Sequence, residues 1–294
     1  MLRTRGLTKR FGGLTAVDAV DFDLGGDELC SLIGPNGAGK TTFFNLLTGV
    51  LEPTEGTVEL RTGPASTDGA SGAGDDGNGD GDDWRDLTGA APHEVANLGV
   101  HRSYQVTNVF ANSTVLENVR VAAQAADGAG TNFWRNAGQL DRYIEEAYDI
   151  LDRVGLADSA DVPARALSHG AKRQLEVGVA LAGDPDVLLL DEPNAGVSSE
   201  SVDRVVDLIE DVAADHAVLL VEHNMDIVME VSDRVVVLNQ GAVIADDEPA
   251  AVRDDPAVQR AYLGGYEPGT AGGDAAEGTG DPDGADGTDG GEPA

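Results

Sequence analysis

Gly34-Pro35-Asn36-Gly37-Ala38-Gly39-Lys40-Thr41 has the spacing G-x-x-x-x-G-K-[ST]. Its chemistry would be phosphate binding. The glycines let backbone N–H groups converge on phosphate oxygens, Lys40 brings a charge to the β- and γ-phosphates, and the Thr41 hydroxyl can ligate Mg²⁺. A second constellation is Asp191-Glu192, after the apolar run Val187–Leu190. An acid at the carboxyl end of such a strand can hold Mg²⁺ through water, and a second acid beside it can act as general base on an attacking water. Alone, Asp191-Glu192 reads more readily as the solvated start of a loop; with the phosphate loop present it reads as its partner. A third feature is Leu167–Val177, "LSHGAKRQLEV", where Ser168 and Gly170 open a predicted helix. Helix starts also favour anions, so one chain carries two candidate phosphate-binding helix starts far apart.

Residues of this kind need a rigid frame. "ELCSLIG" (28–34) reads as a buried strand and is followed by a helix over 39–49. "GTVEL" (56–60) and "GVHRSYQV" (99–106) read as strands, and 114–126 and 140–156 show helical apolar spacing. "DVLLLDEP" (186–193), "HAVLLVEH" (216–223) and "DRVVVLNQG" (233–241) are near-continuous apolar runs with helical stretches between them. Such alternation predicts an α/β fold whose parallel sheet is covered on both faces.

The chain has 294 residues, 53 acidic against 19 basic, and a net charge of −34. Nucleic-acid binding across a basic surface does not fit that balance. Residues 64–83 and 267–294 are rich in Gly and acid and lack the apolar surface to offset chain entropy; a solvated linker and tail (265–294) are expected. Without them the body still carries more than twice as many acids as bases. Many Asp, 3 Lys and 4% aromatics resemble proteins that work in concentrated salt. Dialysis into dilute buffer is expected to unfold this chain through self-repulsion, followed by circular dichroism; full retention of structure would contradict the expectation. No apolar run reaches the length of a membrane helix, and "MLRTRGLTKRF" has no secretory core. Cys30, the lone cysteine, lies in an apolar run and is expected to be a buried strand residue. A cytoplasmic protein is expected.

The ordered motifs resemble the ATP-binding cassette (ABC) ATPases, over about residues 1–264. Gly34–Thr41 match the Walker A loop, Gln105 the Q-loop glutamine, Leu167–Ala171 the signature LSGGQ, Asp191 and Glu192 the Walker B pair, and His223, ending the strand "LLVEH", the switch histidine. Phe11 sits where an aromatic stacks on adenine. The resemblance implies a P-loop NTPase (RecA-like) core with an antiparallel β subdomain and an α-helical subdomain, here about 106–166. It implies ATP held by Phe11, Gly34, Pro35, Asn36, Gly37, Ala38, Gly39, Lys40, Thr41 and Thr42, and Mg²⁺ at Thr41, Gln105 and Asp191. The catalytic residues it implies are Glu192, His223, Lys40 and Gln105. It answers the duplication too: Ser168 and Gly170 cap the ATP of a partner chain in a head-to-tail dimer. His169 and Ala171 depart from the signature, and Ser198 replaces the usual Asp of the D-loop, which points to unequal sites and a related second ATPase; a homodimer is the alternative.

Longer stretches, "LSHGAKRQLEVGVALAGDPDVLLLDEPNAG" and "DPAVQRAYLG" among them, look like the ATPase subunit of branched-chain amino acid importers. Urea and short-chain amide importers share much of this text. The resemblance implies two permease subunits in the membrane, an extracellular binding protein, and a peripheral position on the inner face of the membrane; the apolar stretch 106–116 reads either as a groove wall for the permease or as ordinary subdomain core. A soluble ABC protein of repair or assembly, another P-loop enzyme and a purely regulatory nucleotide binder are the other classes.

Overall fold

The computed structural model describes residues 1–61, 84–103, 109–127, 140–195, 197 and 199–263. The acidic segment and tail expected to be solvated, and also Gln105 and Ser198, lie outside the described residues. Met1–Leu263 form one compact unit.

Two sheets organise it. β1 (Leu2–Phe11), β2 (Leu14–Leu24), β4 (Glu55–Arg61) and β5 (Trp84–Asp86) pair antiparallel in the order β2-β1-β4-β5, with Leu2 opposite both Leu24 and Leu60. The larger sheet runs β10-β9-β3-β8-β7-β6, with β3 (Leu29–Ile33), β6 (Val100–Ser103), β7 (Val187–Asp191), β8 (Ala217–Val221) and β9 (Arg234–Asn239) parallel. β10 (Ala242–Asp247) closes one edge antiparallel. The expected fold class is therefore the observed one.

β3, β7 and β8 are buried at every residue. Alternate side chains of β7 explain why the run is apolar throughout. Val187 and Leu189 face a core shared with the smaller sheet and with Phe43 and Phe44 of α1 (Lys40–Leu47). Leu188 and Leu190 face α3 (Val115–Ala126), α4 (Leu140–Arg153) and α5 (His169–Leu181). Burial on both faces is what a parallel sheet requires. Cys30 is buried in β3, as expected.

Within 106–166, α3 starts on a reciprocal cap: the Thr114 hydroxyl accepts from Glu117 N–H at 3.1 Å, and the Glu117 carboxylate accepts from Thr114 N–H at 2.9 Å. α4 buries Tyr143, Ala147 and Leu151, one residue per turn, against it. Asn118 bonds both backbone groups of Phe110 and so pins the loop before α3, leaving the Phe110 ring 61% exposed. Residues 106–108 of the expected groove wall lie outside the described residues.

Helix α2 (Pro92–Asn97) precedes β6; α6 (Ser199–Ala213) and α7 (Met225–Val231) flank β8; α8 (Pro249–Asp254) and α9 (Pro256–Leu263) close the described chain. Val252 and Val258 of those last helices pack on Ile33, Val235 and Val237. Most expected bounds shift by one to three residues, the helix read over 140–156 ending at Arg153. The strand read over 99–106 is Val100–Ser103, and Tyr104–Val106 lie outside the described residues. The strand read to His223 stops at Val221, because the chain turns there around the Glu222 side chain.

Candidate functional site

The sheet order decides the site. β8 lies between β3 and β7, so the carboxyl ends of the three strands present Gly34, Glu222-His223 and Asp191-Glu192 side by side. Open α/β sheets bind ligands at such ends.

β3 runs into the phosphate loop at Gly34. Two glycines are required there. Gly34 has φ +152°, and a Cβ would run into the carbonyl oxygen of Leu238; Gly39 has φ +109°, and a Cβ would run into that of Ala16. The loop is also tied down from outside: Gly241 N–H donates to Ala38 O at 2.9 Å, and Asp18 N–H to Gly241 O at 2.9 Å. The Tyr262 side chain of α9 meets the backbone of Gly34. Gly37, at φ +80°, has nothing within 4 Å of a would-be Cβ, so it faces open space. No side chain caps the start of α1, and its first turn has no acid. Its first N–H groups are thus left for an anion.

Lys40 is 8% exposed and donates to Gly34 O at 2.7 Å and to Pro35 O at 3.2 Å. Burial lowers its pKa, against the opposing pull of Glu192 and Asp191. A buried ammonium whose hydrogen bonds among the described residues go to neutral carbonyls is a strong attractor for phosphate oxygens. Thr41, the next residue, is exposed.

Asp191 ends β7 and is 5% exposed. Its Oδ2 accepts from Arg102 Nη2 at 2.6 Å. Glu192 follows at φ +50°, a left-handed conformation that costs a non-glycine residue roughly 1 kcal/mol or more. That conformation turns its carboxylate to His223, with Oε1 2.6 Å from Nε2. Thr41 Oγ1 and the Asp191 carboxylate are hard oxygen donors, the type that suits Mg²⁺.

Beneath His223 sits Glu222, 5% exposed. It accepts backbone N–H groups of Asn194 at 3.1 Å, His223 at 2.9 Å and Asn224 at 3.2 Å. This carboxylate joins the turn after β8 to the turn after β7. Glu222→Ala is expected to cost about 2–4 kcal/mol, since it strands three donors, and to slow turnover by freeing His223. Thermal melting and steady-state kinetics on one preparation check both.

Phe11, Asn36–Thr42, Glu192 and His223 line one cleft of about 680 Å³, together with Leu14, Thr15, Ala16, Val221 and Gln240. That is the volume range of small-molecule sites. Phe11 is 46% exposed, with Lys9 Nζ 5.3 Å from its ring centre. Ser168 and Gly170 do not line this cleft. Within the chain Ser168 is the N-cap of α5, its Oγ accepting from Ala171 N–H at 3.2 Å. Arg102 and Glu222 are site residues that no motif in the sequence marks. Glu222 had a signal, an acid straight after a buried strand as in Asp191; Arg102 had none.

Residues 17–195 match the family model described as ABC transporter. The chain belongs to the ABC transporter family. It is an ATPase of that family, and residues 242–268 also match the model described as branched-chain amino acid ATP-binding cassette transporter. The chain is 37% identical to the high-affinity branched-chain amino acid transport ATP-binding proteins LivG of Salmonella typhimurium and BraF of Pseudomonas aeruginosa, covering 90% of this chain and 98% of each relative. The probable LivG of Archaeoglobus fulgidus is 31% identical over 91% of this chain and 96% of its own. Among solved structures, the ADP conformation of MJ1267, an ATP-binding cassette of an ABC transporter, superposes with a TM-score of 0.70 at 27% identity, covering 90% of this chain and 98% of that one. A nucleotide-free cassette gives 0.71 at 27% identity, covering 89% and 98%. In this ABC ATPase no helix of the described residues is long and apolar enough to cross a membrane.

Proposed function

We propose that this ABC ATPase powers a membrane importer of branched-chain amino acids from the cytoplasmic face of the membrane. The observation that carries the reading is the 37% identity across 98% of LivG and BraF, proteins named for that transport. Urea and short-chain amides, the second reading from sequence, gain no support from these relatives.

The cleft supports a mechanism. Phe11 offers a ring face to adenine at one end of the cleft. Gly34–Thr42 wrap the phosphates, with Lys40 exchanging its two carbonyl partners for phosphate oxygens. Thr41 and Asp191 would hold Mg²⁺, which when bound neutralises phosphate charge. Glu192 takes a proton from the attacking water at its carboxylate. The carboxylate at 2.6 Å keeps a proton on Nε2 of His223, ready to be donated to a γ-phosphate oxygen as charge develops there. Gln105, outside the described residues, would add a polar group for the metal if the family resemblance carries over.

Ser168 and Gly170 stand apart from their own chain's cleft. That separation supports their use in trans, on the nucleotide of a second ABC ATPase, either a copy or a relative. The exposed Phe110, on a loop pinned by Asn118, is a suitable contact for one of two permease subunits. Substrate choice then belongs to the permease and to an extracellular binding protein. The test is ATP turnover of the assembled transporter in vesicles with its binding protein. Leucine, isoleucine or valine is expected to stimulate turnover several-fold. Stimulation by urea and not by these amino acids would overturn the substrate reading.

A further inference from the structure

Asp191 does not wait for a metal as an unaccompanied carboxylate. Arg102, in β6, reaches across the carboxyl end of the sheet. Its Nη2 donates to Asp191 Oδ2 at 2.6 Å, and its Nη1 donates to Asn45 Oδ1 at 2.7 Å. Both members of the ion pair have side chains 6% exposed. The guanidinium carbon lies 5.3 Å from the Phe44 ring centre. Asn45 and Phe44 belong to α1, the helix that opens on Lys40 and Thr41. One planar cation thus ties the helix of the phosphate loop to the carboxylate that would hold the metal, in a geometry that the fork of arginine suits and lysine does not.

We propose that Arg102 is the resident counter-cation of Asp191. It neutralises and orients the metal carboxylate when no nucleotide is bound, so that the site takes a divalent cation only when phosphate oxygens come with it. The proposal rests on the reading of Asp191 as a metal residue. The physical reason is charge. A buried carboxylate already paired with a guanidinium is a poor lone ligand for a dication, because the guanidinium repels that dication at close range. Adding the negative charge of a nucleotide's phosphates reverses the balance. Arg102 is a positioning residue by this account, acting through Asp191.

The test is Mn²⁺ binding to the nucleotide-free full chain, read from the electron paramagnetic resonance of free Mn²⁺. Four proteins are compared: wild type, Arg102→Gln, Arg102→Lys and the double variant Arg102→Gln/Asp191→Asn. Mn²⁺ held by the acidic surface is common to all four, so differences report the site. Arg102→Gln is expected to gain one site at least about ten-fold tighter than any in the wild type. The double variant is expected to lose that site, and Arg102→Lys, which keeps the charge but not the fork, to gain less than Arg102→Gln. Equal Mn²⁺ binding by wild type and a folded Arg102→Gln would overturn the proposal. Should the Gln variant not fold, nitrogen NMR of arginine side chains in the wild type decides. The Arg102 guanidinium signal is expected to shift with Mg²⁺ and ADP together and not with ADP alone; an identical signal in the two conditions would overturn the proposal. ATP turnover of the wild type that is indifferent to Mg²⁺ would overturn the metal-site reading instead, a separate result.

Discussion

Glu192→Gln abolishes most turnover and leaves ATP binding intact. The expected loss in the rate of hydrolysis is about 10²–10⁴-fold, the range for removing a general base. The amide has the shape of the carboxylate, and its oxygen can still accept from His223 Nε2, now 2.6 Å from Oε1. The left-handed backbone at φ +50° costs Gln what it costs Glu. Fold and cleft therefore persist, and only proton acceptance is lost. Nucleotide binding is expected within about three-fold of wild type, as such a substitution removes an interaction made in the transition state. The variant should also hold ATP in a stable dimer. Steady-state phosphate release, equilibrium binding of a fluorescent ATP analogue, and size exclusion with ATP read the three effects. A purely regulatory nucleotide binder would show no change in any of them.

Gly39→Ala should remove nucleotide binding by a different route. At φ +109° an alanine is strained before it meets anything, and its Cβ would meet the carbonyl oxygen of Ala16, a backbone atom of β2 that cannot swing aside. Gly39 is also the residue from which α1 starts, its carbonyl accepting from Phe43 N–H at 2.8 Å. Relief of the clash has to move the loop or the helix start, and either displaces Lys40 and Thr41. An affinity loss of at least about 100-fold is expected, since a shift near 1 Å costs that much where groups must converge. Stability should fall by about 2–4 kcal/mol. Gly37→Ala is the control. Its φ of +80° is also left-handed, but no atom lies within 4 Å of the added methyl, so only the local strain of about 1 kcal/mol remains. Binding isotherms and melting curves of the two variants separate collision from strain.

The legible parts of this molecule were those with one cause per residue. β3, β7 and β8 announced themselves because each is apolar at every position and buried on both faces. Gly34–Thr42, Asp191, Glu192, His223 and Phe11 were readable from residue type and order, and of these Phe11, Asn36–Thr42, Glu192 and His223 line one cleft. The first strands were less legible from pattern. In β1 the buried set Leu2, Thr4, Leu7, Thr8 breaks the two-residue alternation, where the pairing with β2 slips between Thr4 and Leu7 around Gly6 at φ +55°. A bulge of this kind erases the periodic signal that names a strand. Of that sheet, pattern gave only the strand at 56–60, and the family resemblance supplied the sheet as a whole. Arg102 was illegible for another reason. Its role comes from a bond to Asp191 across 89 positions of sequence, which no local pattern encodes. Glu222 lay between the two, marked by its place after a buried run but indistinguishable there from a second solvated acid.

Whether this chain works as the ATP-hydrolysing subunit of a membrane importer is decided by affinity purification of the native chain from detergent-extracted membranes in molar salt, with mass spectrometry of what accompanies it. Two hydrophobic permeases, a second ABC ATPase and a substrate-binding protein are expected to accompany it, the last of which binds leucine, isoleucine or valine. A chain recovered free of membrane proteins, with its ATP-trapped dimer in the soluble fraction, would contradict that role.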